Sequence, residues 1–118
     1  MALHHEHITL DCTDPLRLAS FWADALGRTV DDGASDYFAS IGKATPDGQV
    51  AYLFLAVPEA RTAKNRVHLD FQSDDRNADI ARLVSAGATK IADKDEWGTK
   101  WTVMEDPEGN VFCIADHP

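Results

Sequence analysis

Hydrophobic and polar positions along this chain follow two periods in turn, and the sequence of periods runs twice. His7-Ile8-Thr9-Leu10-Asp11-Cys12 puts Ile8, Leu10 and Cys12 on one side and His7, Thr9 and Asp11 on the other, which predicts a strand with one buried face. Asp14-Pro15 then supplies an acidic N-cap followed by a proline where no N–H is needed. Leu18, Phe21, Trp22, Ala25 and Leu26 recur at helical spacing, and Gly27 is placed to close the helix in a left-handed conformation. That spacing makes Phe21 and Trp22 core residues. Three shorter apolar runs follow, 29–30, 37–41 and 50–57, separated by Asp32-Gly33 and Pro46-Asp47-Gly48. The first module, residues 7–57, therefore reads as βαβββ.

The second module, residues 66–115, repeats that order. Arg66-Val67-His68-Leu69-Asp70-Phe71 alternates, with Val67, Leu69 and Phe71 on one face and His68 on the other. Ser73-Asp74-Asp75 offers N-caps for a helix carrying Ile80, Leu83 and Val84 and ending near Gly87. Strands are predicted over 90–92, 100–104 and 110–115, the last two joined by Asp106-Pro107-Glu108-Gly109. In the final strand Phe112 and Ile114 face one way, and Val111, Cys113 and Ala115 the other. His68 lies 61 positions after His7, and Pro107-Glu108-Gly109-Asn110-Val111 lies 61 after Pro46-Asp47-Gly48-Gln49-Val50. One offset shared by two unlike markers indicates a tandem repeat of a supersecondary unit. The polar stretch 58–65 is short for a linker between independent domains, so residues 1–118 are expected to form a single domain whose modules share a core or exchange partners across a homodimer.

Composition sharpens this picture mainly by exclusion. With 118 residues and 44% hydrophobic residues the chain has the usual size and apolar content of one globular domain. A formal charge of −9 opposes phosphate backbones and anionic lipid surfaces, so neither nucleic acid nor membrane is an expected partner. Met1 to Glu6 has no basic-then-apolar pattern of a secretory leader, and no apolar stretch approaches the roughly 20 residues needed to span a bilayer. Two cysteines, Cys12 and Cys113, in strand-like contexts are expected to be free thiols in a cytoplasmic protein. His4 and His5 read as a solvated terminus.

Two βαβββ units, the His7-Ile8-Thr9-Leu10-Asp11 opening, Phe21-Trp22 leading to Leu26-Gly27, and the closing Asp106-Pro107-Glu108-Gly109-Asn110-Val111-Phe112 together resemble the vicinal oxygen chelate superfamily. Within it the chain is most similar to small bacterial glyoxalase-like and bleomycin resistance-like proteins. The resemblance implies an α+β fold in which each module curls its strands into half of a cup with helices on the outer face. It also implies a small-molecule ligand in that cup. Metal-dependent members place ligands on the first strand of each module and on a last strand, which maps here to His7, His68 and Cys113. The 61-residue offset pairs Cys113 with Tyr52, so His7, Tyr52, His68 and Cys113 are expected on the faces turned away from the helices.

The chain departs from that pattern at Cys113, where metal-dependent relatives carry Glu. A thiol is a softer ligand that must lose its proton, so one divalent ion held by His7, His68 and Cys113 would be zinc rather than magnesium or manganese. Two readings of Cys113 stand side by side: a zinc ligand, or a small buried hydrophobe. With or without metal, His7 and His68 are the candidate acid and base, or hydrogen-bond partners, for a small oxygen-bearing substrate. Tyr52, Trp97, Trp101 and Arg66 are the candidate pocket residues, with edge packing the alternative for Trp97 and Trp101 and a solvated charge the alternative for Arg66, as for Asp11 and Asp70. Two functions follow: a lyase or isomerase-type enzyme of glyoxalase character, or a non-catalytic protein that sequesters an aromatic or apolar compound.

Overall fold

The computed structural model describes residues 2–117, and it divides into two compact units between Ala60 and Arg61. That division falls inside the polar stretch 58–65. The first unit contains strand β1 (His7–Cys12), helix α1 (Pro15–Leu26), β2 (Phe38–Ile41) and β3 (Ala51–Ala56). The sheet order is β1-β3-β2, with β1 parallel and β2 antiparallel to β3. A parallel pair needs a long crossover, and α1 together with β2 provides it.

Helix α1 begins where the sequence indicates. The Asp14 carboxylate accepts the Arg17 N–H at 3.2 Å, Pro15 occupies the first turn, and Gly27 at φ 65° closes the helix. Leu18, Phe21 and Trp22 point into the unit and are buried. Trp22 meets Phe21 edge-on at 5.3 Å between ring centroids and lies parallel to Tyr52 at 6.4 Å. The expected strand at 29–30 is reduced to an isolated bridge between Val30 and Ile41. Its extension stops because the next residue, Asp31, turns its carboxylate to the Lys43 and Ala44 amides and the Ser40 hydroxyl, at 3.0, 3.0 and 2.7 Å.

The second unit contains β4 (Leu69–Ser73), α2 (Arg76–Ser85), β5 (Thr89–Glu96), β6 (Thr99–Glu105) and β7 (Val111–Asp116), in the order β4-β7-β6-β5. Helix α2 is capped by the Asp75 side chain on the Ala78 N–H at 3.1 Å. Strand β4 starts at Leu69, three residues later than the alternation from Arg66 suggests. Leu69 pairs in parallel with Phe112, so Val67 would have to pair with Asn110. Asn110 instead donates its N–H to the Asp106 carboxylate at 3.0 Å as part of the turn before β7, and Val67 is left exposed.

The two registers also revise the repeat. Ile8 pairs with Tyr52 in the first unit, whereas Leu69, 61 positions after Ile8, pairs with Phe112, which is 60 after Tyr52. The counterpart of Cys113 is therefore Leu53. Tyr52 corresponds to Phe112, lies on the same sheet face as Ile8, and stacks on Trp22 of α1. Because a shift of one residue exchanges the faces of a strand, Tyr52 faces the helix and not the side away from it.

Candidate functional site

In the second unit the face of the sheet opposite Phe112 and Ile114 borders a cavity of about 720 Å³, a size suited to a small organic ligand. Strand β7 lines it with Val111, Cys113 and Ala115, the set that alternation assigns to one face. Strand β6 contributes Trp101 and Val103, registered against Ala115 and Cys113. Small side chains on β7 facing larger ones on β6 leave the space.

Beside Cys113, the parallel register sets Asp70 of β4 as its direct neighbour. His68, immediately before β4, places Nδ1 2.9 Å from the Asp70 carboxylate and 3.9 Å from the Cys113 sulfur. The Cys113 thiol is pushed up to about 11, first by burial and then by the charge of Asp70 and a hydrogen bond to it. At neutral pH this is a protonated thiol, not a nucleophile. The nitrogen of His68 that could take its proton is the one already facing Asp70, so the three groups do not form a nucleophile–base–orienter relay.

The same three side chains form a donor set for a metal. One atom from each of His68, Asp70 and Cys113 lies within 4.8 Å of the others. Ligands of a tetrahedral zinc ion sit about 3.3–3.8 Å apart, so modest side-chain rotation suffices, and nitrogen, carboxylate and sulfur donors are all acceptable to zinc. The residues fit the group, with Asp70 supplying the carboxylate that Cys113 does not. The thiol and the His68 nitrogen would each have to be free of protons, which makes such binding pH-dependent.

His7 belongs to the first unit. Its Nδ1 is buried without a hydrogen-bond partner among the described residues, and the Glu6 carboxylate at 4.0 Å is beyond hydrogen-bond reach. Asp11, on the same strand, is exposed. Tyr52 is accounted for by its stack on Trp22 and by the Arg28 guanidinium 5.8 Å from its ring, and burial raises its hydroxyl pKa. Arg66 is exposed and does not line the cavity.

Both Trp97 and Trp101 do line it. Their rings lie 6.2 Å apart and nearly parallel, at 10°. Trp97 and Gly98 form the two-residue turn between β5 and β6, with φ 52° and 74°. Positive φ at both positions is what a type I′ hairpin requires, and asparagine or glycine normally supplies it. A tryptophan there costs about 1 kcal/mol of backbone strain. It also leaves the residue 89% exposed, so burial within this unit does not offset that cost.

Charge is inverted around the cavity. The chain carries 11 basic and 20 acidic residues, yet the cavity is lined by Arg61, Lys64 and Lys94 against the single acid Asp70. Arg61 is held by Glu105 at 2.8 Å and by the Gly109 and Ala63 carbonyls. Lys64 and Lys94 make no ion pair among the described residues. The sequence marks neither lysine: Lys64 lies in the polar stretch 58–65, and Lys94 lies where β5 continues through Asp93-Lys94-Asp95-Glu96 with no apolar alternation.

A family model described as a glyoxalase-like domain matches residues 7–115. The chain belongs to that family. Among solved structures it is similar to a glyoxalase/bleomycin resistance protein/dioxygenase family enzyme from Burkholderia phytofirmans PsJN, with 20% identity over 97% of this chain and 98% of that one, at a TM-score of 0.76. The fosfomycin resistance protein FosX from Mesorhizobium loti is 12% identical over 100% and 95% of the two chains, with a TM-score of 0.72. A lactoylglutathione lyase from Agrobacterium tumefaciens is 15% identical over 98% and 94%, with a TM-score of 0.66. These likenesses show the vicinal oxygen chelate fold for the glyoxalase-like chain. No curated protein matches it in sequence. Neither of its described helices is long and apolar enough to cross a membrane.

Proposed function

We propose that this glyoxalase-like protein binds a small aromatic molecule in the cavity of its second unit, between the Trp97–Trp101 pair and the sheet face carrying Val103 and Cys113. The observation that carries this reading is the exposed, strained Trp97 stacked on Trp101 at the mouth of a 720 Å³ cavity. In this role His68, Asp70 and Cys113 form a polar border of the cavity, with the Cys113 thiol protonated and hydrogen-bonded to Asp70. Family neighbours named for fosfomycin resistance and for lactoylglutathione lyase support small-molecule work on this fold. The proposal includes a homodimeric, cytoplasmic protein, on the sequence grounds given above. Titrating the protein with a library of aromatic compounds and following tryptophan fluorescence tests it. Saturable quenching that is lost in Trp101→Ala is the expected result, and a flat response across the library defeats the reading.

A second reading has its own support in the convergence of His68, Asp70 and Cys113: a lyase or isomerase acting on a small oxygen-bearing substrate. These three residues would hold zinc, and the ion would supply Lewis-acid polarisation of a substrate oxygen. Protein stripped with chelator and titrated with zinc by calorimetry should bind one equivalent, with proton release, and Asp70→Ala should weaken that binding at least about tenfold. Heat-silent titration removes the metal from the account.

A further inference from the structure

We infer that the ligand of this cavity is a planar aromatic anion, such as an aromatic carboxylate, stacked by Trp97 and held at its charged end by Lys94. The inference rests on the binding reading above and names its ligand class. Four observations converge on it. Trp97 occupies a turn position where backbone sterics favour asparagine or glycine, and it is 89% exposed, so its placement serves neither turn geometry nor burial within this unit. Its ring lies parallel to that of Trp101, which presents flat π-faces to a flat partner.

Register then fixes the position of charge. Lys94 pairs directly across the hairpin from Trp101, so its stem and the ring are nearest neighbours on the cavity face. Lys64 lines the same cavity, and neither ammonium is matched by a carboxylate among the described residues. In a chain of net charge −9, two uncompensated lysines in a cavity with one acid are a local reversal of sign. That acid, Asp70, is already occupied by His68 and by the Cys113 thiol. An organic cation would meet both lysines and a single carboxylate that already accepts from His68, whereas an anion completes what the cavity leaves unpaired.

Calorimetric titration of the full chain with 2-naphthoate, neutral 2-naphthamide and cationic 2-naphthylmethylammonium separates the possibilities, repeated with Lys94→Gln and Trp97→Asn. The expected result is 2-naphthoate binding at least about tenfold tighter than the other two, with Lys94→Gln narrowing that margin to about threefold or less. Trp97→Asn should weaken 2-naphthoate about tenfold while raising the melting temperature, because asparagine tolerates the left-handed backbone. A merely structural Trp97 would give the higher melting temperature with unchanged affinity, and that outcome overturns the stacking role. A lower melting temperature overturns the strain argument. Equal affinity for all three probes overturns the anion assignment while leaving aromatic binding intact. No binding of any probe at millimolar concentration removes the binding reading as well.

Discussion

Helix α1 buries Leu18, Ala19, Phe21, Trp22 and Ala23 along with its first proline, whereas α2, built at the corresponding place in the repeat, buries Leu83 alone. The sheets differ in the same sense. Ala51, Tyr52, Leu53 and Phe54 are consecutive buried residues on β3, so both of its faces are covered. Its counterpart β7 also buries Phe112, Cys113 and Ile114 in succession, but there Cys113 and Ala115 line a cavity. Two units with one pattern of elements have thus divided their tasks. The first concentrates apolar side chains; the second keeps small and polar ones on its open face, where a ligand can supply the missing contacts. A structure under less pressure to fill its core can also carry a strained tryptophan at a hairpin tip.

Truncating the largest buried side chain tests this division most severely. Trp22→Ala should cost about 3–5 kcal/mol, because it removes an indole with 2% exposure and both of its ring contacts. Leu83→Ala, on the thinly buried helix, should cost about 2–3 kcal/mol, near the low end for such truncations. Urea unfolding of both variants measures the difference. Equal costs would show that α2 contributes as much core as α1 and would break the comparison.

A smaller effect is expected at Asp31, which holds the loop before β3. Burial raises its carboxyl pKa, but the Ala44 amide, the Ser40 hydroxyl and the Lys43 amide donate to it and outweigh burial, so the pKa is lowered. A carboxyl lowered in the folded state adds stability that is complete above its unfolded value near 3.9 and disappears as pH falls through the folded one. Asp31→Ala leaves three donors without their acceptor and should cost about 1–3 kcal/mol at neutral pH. The gap between variant and parent should close on acidification below about pH 4. An undiminished gap at pH 2 would mean that the carboxylate charge is not what ties this loop.

How far the sequence reveals these differences depends on whether a feature is local. Strand β1, helix α1 with its Asp14, Pro15 and Gly27 signals, and the alternation of β7 are all written in short-range patterns. The start of β4 is not, because it depends on where its partner β7 becomes available for pairing. Nor is the single-residue difference in register that assigns Tyr52 to the helix side and makes Leu53 the counterpart of Cys113. His68 and Cys113 stand out as residue types with a chemistry. Asp70 joins them only through cross-strand register, and its strand parity with His68 was the one signal available. Lys94 gave none, since a polar edge strand stabilised by its hairpin partner has no apolar period to read.

The two thiols extend the comparison to chemistry. Both are buried and neither is in a disulfide, but Cys12 donates to the Leu55 carbonyl at 3.4 Å, whereas Cys113 faces the carboxylate of Asp70. With its pKa pushed up to about 11, Cys113 is about 1% thiolate at pH 9, where an unfolded cysteine is about three-quarters ionised. Iodoacetamide labelling of chelator-treated Cys12→Ser protein at pH 9 should therefore be much slower than labelling of the same protein in denaturant. Asp70→Asn removes the negative charge that disfavours the thiolate, so the pKa should fall and labelling should accelerate. Burial is the larger cause of the shift and persists in that variant, so the rate should stay below that of the unfolded chain. In the converse Cys113→Ser background, Asp70→Asn should leave the labelling of Cys12 unchanged. Acceleration at Cys12 as well would mean that the substitution loosens the fold generally, and the polar border of the cavity would lose its claim to a distinct chemistry.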